Sequence, residues 1–161
     1  MPCIANKVAQ LESDIARRLA DLQSEEVKPS HVIGFASTSV DAFEVLLRET
    51  IAFYADTYGI KLDQDPSSCT LGQLVEWLQQ HNQQLTSCAR KSSAGLERLA
   101  NRRLVSPADI ECLNAITKLR NRLHHHIDDF ARDDVARRRN TKDLLGRIEE
   151  MLDSPFFELT F

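Results

Sequence analysis

The chain has 161 residues, 42% of them hydrophobic and 27% charged, with a formal net charge of −4. That is the length of one domain with apolar mass for a single core, and it excludes a disordered chain. Five Gly and five Pro leave room for long helices and little for the many turns of an all-β fold. No apolar run reaches the roughly 18 residues of a membrane-crossing helix, and no basic-then-apolar leader opens the chain, so a cytoplasmic protein with no membrane role is expected.

In chain order, residues 4–26 place Ile4, Val8, Leu11, Ile15, Leu19 and Leu22 at steps of four and three, which predicts an amphipathic helix that Lys28-Pro29-Ser30 ends. Residues 31–57 carry Phe35, Val40, Phe43, Leu46, Leu47, Ile51 and Tyr54 on a second helix, with Gly59 as its stop. Glu44 and Arg48, four apart on it, can pair. Residues 58–69 read as an irregular loop. Thr70-Leu71-Gly72-Gln73 is a capping box that opens a short helix with Leu74, Val75, Trp77 and Leu78 turned inward. A polar stretch around 82–93 then leads to a helical segment with Leu96, Leu99 and Leu104.

Ser106-Pro107-Ala108-Asp109 is the clearest helix start, with Ser at the N-cap and Pro in the first position. From it Ile110, Leu113, Ile116, Leu119, Leu123, Ile127 and Phe130 keep a helical period for about six turns. A last helix over 140–153 uses Leu144, Leu145, Ile148, Met151 and Leu152, and Pro155 releases the tail Phe156-Phe157-Glu158-Leu159-Thr160-Phe161. No strand-like alternation and no repeat competes. The expected fold is all-α, one domain over 1–161, built as a bundle of four long helices plus one or two short ones.

Cys3, Cys69, Cys88 and Cys112 are widely spread with no C-x-x-C pair, so they are expected to be free thiols rather than zinc ligands. The charge is uneven along the chain. Residues 1–68 carry 6 basic and 11 acidic side chains, residues 69–147 carry 14 and 9, and residues 148–161 carry 0 and 4. The net charge argues against a general polyanion binder, yet a basic patch in the second half can attract a phosphate backbone locally.

With Arg120 at zero and about 100 degrees per residue, Leu113, Ile116, Leu123 and Ile127 all fall within about 60 degrees of it. A guanidinium in the middle of an apolar stripe must snorkel, meet a carboxylate such as Glu44, or face a second subunit. His124 lies at about 40 degrees, His125 at about 140 and His126 at about 240, so the three point different ways and do not form one metal site. Neither a metal nor a cofactor is expected.

The run Leu119-Arg120-Asn121-Arg122-Leu123-His124-His125-His126, late in a long helix, resembles the R-x4-6-H motif of the HEPN superfamily, in which a polar residue follows the Arg. Arg120 and His125 fit it with four residues between them, Asn121 takes the polar position, and His126 also falls within the allowed spacing. The Thr70–Leu74 helix start and the helical layout agree with it. The resemblance implies a dimeric, often metal-independent endoribonuclease of toxin, abortive-infection or RNA-processing systems, with RNA as substrate and a cognate antitoxin or regulatory protein as partner.

In that reading His125 does the acid/base work, Arg120 contacts phosphate, Asn121 orients substrate or histidine, and His124 and His126 are additional candidates. On a straight helix Arg120 and His125 stand about 140 degrees apart, too far for one phosphate. Either the helix distorts after Leu123 or two copies of the motif meet across a two-fold axis; the dimer is the preferred expectation, because it also accounts for the arginine on an apolar stripe. Members paired with nucleotidyltransferase antitoxins carry a modifiable Tyr two residues after the His, and Ile127 stands there, which speaks against that mode of control. Non-catalytic members that bind RNA, nucleotide or a partner protein are the alternative.

Overall fold

In a computed structural model that describes residues 3–92 and 99–158, every regular element is helical. The helices are α1 (Ile4–Leu22), α2 (Pro29–Tyr58), α3 (Leu71–Arg90), α4 (Pro107–His125), α5 (Ile127–Phe130), α6 (Asp134–Leu152) and α7 (Pro155–Glu158), with a 3-10 turn at Pro66–Ser68. Among the described residues five helices are long, not four. Of the predicted helical segment with Leu96, Leu99 and Leu104, residues 93–98 lie outside the described residues, while Leu99 and Leu104 are buried and Leu104 stands in irregular backbone rather than a helix.

α2 runs through the middle of the molecule and packs on α1, α3, α4 and α6, while α6 also lies against α1 and α4. This position explains why Val32, Ala36, Val40, Phe43, Leu47, Ile51 and Tyr54 are all buried on one 30-residue helix. Gly59 closes it in the left-handed conformation, φ 66°, and its N–H reaches the Ala55 carbonyl. α1 buries Leu11 and Ile15, and Ile4, Val8, Leu19 and Leu22 pack against the same core. Each large side chain so buried contributes about 1.5–3 kcal/mol.

Three expectations change. α3 is 20 residues long rather than short, because the polar residues read as its end are satisfied inside the fold. Asn82 Nδ2 donates to the Val105 carbonyl at 2.6 Å, and its Oδ1 accepts from the Val105 N–H at 3.2 Å. Thr86 Oγ1 accepts from the Leu104 N–H at 2.9 Å. The first turn of the last long helix starts earlier than predicted: Asp133 caps it by accepting from the Ala136 N–H at 2.7 Å. The segment after Pro155 is no released tail, since Phe156 and Phe157 are fully buried and Tyr54 Oη donates to the Phe156 carbonyl at 2.5 Å. Residues 159–161 lie outside the described chain.

The fourth difference bears on the site. The predicted six-turn helix ends at His125, and His126, at φ −136° and ψ 51°, breaks it before the single turn Ile127–Phe130. Phe130 is then buried while Ile127, which the periodicity placed on the apolar stripe, is 43% exposed. Among the described residues no helix is long and apolar enough to cross a membrane.

Candidate functional site

The capping box at Ser106 fixes the start of α4: the Ser106 hydroxyl accepts from the Asp109 N–H at 3.1 Å, and the Asp109 carboxylate accepts from the Ser106 N–H at 3.0 Å. Leu113, Ile116, Leu119 and Leu123 hold one face of the helix in the core. Arg120 therefore emerges beside that face, with its side chain 20% exposed.

Its Nε donates to Glu44 Oε1 at 2.7 Å, and Nη1 stands 3.4 Å from Asn121 Oδ1. Of the three environments open to this arginine, the carboxylate is the one found. The preferred expectation of a second subunit is corrected on this point, because the partner that makes a guanidinium tolerable among apolar side chains lies within the chain. Glu44 Oε2 also accepts from Arg48 Nη2 at 3.2 Å, so one carboxylate is shared by two guanidiniums and the cluster keeps one net positive charge.

Arg120 and Asn121 form one wall of an open cleft of about 490 Å³. Thr117, His125 and His126 line it as well, and Thr70, Leu71 and Gly72 at the start of α3 complete the lining. The 140-degree separation of Arg120 and His125 on an ideal helix does not keep them from lining a common cleft within one chain. The helix ends only at His126, beyond both residues, so it leaves their separation on α4 as the ideal helix has it.

The three histidines separate. His124 turns from the cleft to Asp41 on α2, with Nε2 3.9 Å from Oδ1, while His125 and His126 stay in it. His124 lies nearest to Arg120 by helical angle, yet the packing of α2 against α4 takes it elsewhere. Among the described residues no group of three His, Cys, Asp or Glu is arranged to hold a metal ion.

The α3 wall was not anticipated as part of a site. Its capping box is complete: Gln73 N–H donates to Thr70 Oγ1 at 3.2 Å, and Thr70 N–H donates to Gln73 Oε1 at 2.9 Å. The Leu71 and Gly72 amides are the first two of the helix and have no intrahelical acceptor. The helix start approaches α4 closely, such that a Cβ at Gly72 would lie 3.9 Å from Thr117 Cγ2. The capping box is legible in the sequence, but nothing local says that it faces Arg120.

Chemically the cleft combines a fixed guanidinium, two imidazoles, a carboxamide, two threonine hydroxyls and the positive end of a 20-residue helix. All are hydrogen-bond donors or proton carriers suited to a phosphate oxygen. The carboxylate nearby, Glu44, is turned to the two arginines. No family model, no curated protein and no solved structure matches the chain, so the reading of this cleft rests on its residues.

Proposed function

We propose that the chain is an endoribonuclease of the HEPN type that cleaves RNA in the cleft of Arg120, Asn121, His125 and His126. One observation carries the reading: the arginine and both histidines that fit the motif line a single cleft together with Thr70, Leu71 and Gly72 at the start of α3. In the proposed reaction the ribose 2′-oxygen attacks the adjacent phosphorus and loses its proton to one imidazole, for which His125 is the candidate. The bond from phosphorus to the 5′-oxygen breaks, and that oxygen takes a proton from the second imidazole or from His125 itself. The products are a 2′,3′-cyclic phosphate and a 5′-hydroxyl, and protons balance without a metal ion.

Arg120 supplies charge to the phosphorane oxygens through its Nη atoms, since Nε is engaged by Glu44. The amides of Leu71 and Gly72, at the α3 start that lines the same cleft, offer a second set of donors. Asn121, beside Nη1, orients either the guanidinium or the substrate. The motif resemblance places such an activity in a toxin, defence or stress-response setting, with a regulatory protein as partner.

Incubation of the purified chain with total RNA and with tRNA in EDTA tests this. Wild type should yield fragments ending in 2′,3′-cyclic phosphate, and His125→Ala and Arg120→Ala should lose them while keeping the helical circular-dichroism spectrum. Absence of cleavage by wild type, with RNA binding that Arg120→Ala abolishes, would replace the enzyme by an RNA-binding bundle.

A further inference from the structure

Glu44 is 5% exposed and sits 76 residues before Arg120 in the chain. Its two oxygens divide between two arginines: Oε1 accepts from Arg120 Nε at 2.7 Å and Oε2 from Arg48 Nη2 at 3.2 Å. The same Arg48 Nη2 donates to the Cys69 carbonyl at 3.0 Å. Cys69 immediately precedes Thr70, the cap of α3. A continuous polar chain thus runs from Cys69 through Arg48 and Glu44 to Arg120 and Asn121. It joins the two walls of the cleft, which come from different helices, through a third.

Such a cluster is a poor choice for stability alone. Apolar side chains of similar volume often stabilise a fold as well as a buried carboxylate between guanidiniums does. What the ion cluster supplies is direction, because a planar guanidinium bonded through Nε to a fixed carboxylate loses its freedom to swing. We propose that Glu44 and Arg48 are positioning residues of this site, holding the Arg120 guanidinium and the α3 start at the spacing that grips one phosphodiester from both sides. The proposal rests on the reading of the cleft as an RNA site.

Charge and position make opposite predictions for Glu44→Gln. Removal of a negative charge next to Arg120 favours a polyanion, so if field strength alone mattered the variant would bind RNA more tightly. If Glu44 positions Arg120, the variant binds more weakly although its site is more positive. Glu44→Asp keeps the charge and shortens the arm, so it should weaken binding where a purely electrostatic role leaves it unchanged.

The probe is a fluorescein-labelled, fully 2′-O-methylated RNA oligonucleotide, which lacks the attacking hydroxyl and reports binding without turnover. Fluorescence anisotropy at fixed salt should show both variants binding about 3–10-fold more weakly than wild type, the loss of one charge-assisted contact. Wild-type binding with Glu44→Gln equal or tighter, or with Glu44→Asp unchanged, overturns the positioning role and leaves the RNA reading intact. No binding by wild type overturns the RNA reading and this inference with it. Loss of the helical circular-dichroism signal in both variants would make Glu44 a structural residue and equally overturn the proposal.

Discussion

Asn140, on α6, donates through Nδ2 to the Phe130 carbonyl at 2.8 Å, and this bond ties down the turn that follows His126. Asn140 is 5% exposed, so neither group has ready access to water as a substitute. The end of α4, where His125 and His126 enter the cleft, is followed directly by this turn. A side chain of the next long helix thereby anchors the turn just beyond the two histidines.

Asn140→Ala should therefore lower stability by about 1–2 kcal/mol, the cost of a buried carbonyl left without its donor. Amide hydrogen exchange over 126–131 should accelerate more than that of α1. Uniform acceleration through the whole chain, or none, would refute the local tether.

Arg138 clamps the link between α1 and α2. Its Nη1 donates to the carbonyls of Leu22 at 3.2 Å and Ser24 at 3.0 Å, and its Nη2 to those of Glu25 at 3.3 Å and Val27 at 3.1 Å. Arg138→Met, which keeps the aliphatic stem, is expected to lower the urea midpoint by the equivalent of about 1–2 kcal/mol. Arg138→Lys should recover only part of it, because a compact ammonium lacks the fork that spans four carbonyls. A midpoint equal to wild type in both would remove the clamp.

Asn82 replaces a strand-like pairing with a side chain, serving both the N–H and the carbonyl of Val105. Substitution by Leu, close in size, leaves both backbone groups unpaired in the core and should cost about 2–6 kcal/mol, roughly 1–3 for each polar group. A thermal melt measures it. A variant as stable as wild type would mean that the 104–105 segment is solvated.

Two buried acids make the fold sensitive to alkali. Burial pushes the Cys112 thiol from its ordinary 9.0 up to about 12, helped by the nearby Glu150 carboxylate, and burial also raises the Tyr54 phenol above its ordinary 10.0. Below pH 9 both the folded and the unfolded chain keep these protons, so stability is full. Above it the unfolded chain releases the Cys112 proton while the folded chain retains it, and stability falls as pH rises toward 12. Urea midpoints between pH 8 and 10.5 should decline, and less steeply in Cys112→Ala. At pH 8, iodoacetamide should modify exposed Cys3 and the half-buried Cys69 and Cys88 well before Cys112, as mass spectrometry of the native chain would record. Modification of Cys112 at the rate of Cys3 would contradict its burial.

The sequence by itself determined the all-helical class, the beginnings of α3 and α4, the stop at Gly59 and the side chains on the apolar faces. These depend on spacing, capping and turn chemistry within a few residues, which are local quantities. It also singled out Arg120 as a cation in need of a partner, and named Glu44 as one of three solutions. Only the tertiary structure decided among them, because the choice depends on which face of α2 meets α4. The same holds for Asn82 and Thr86, whose polarity reads as a helix end until the 104–105 backbone arrives to bond them. The burial of Phe156 and Phe157 and the meeting of Thr70–Gly72 with Arg120 belong there too. Each is settled by contacts between residues distant along the chain, and helical periodicity carries no information about those.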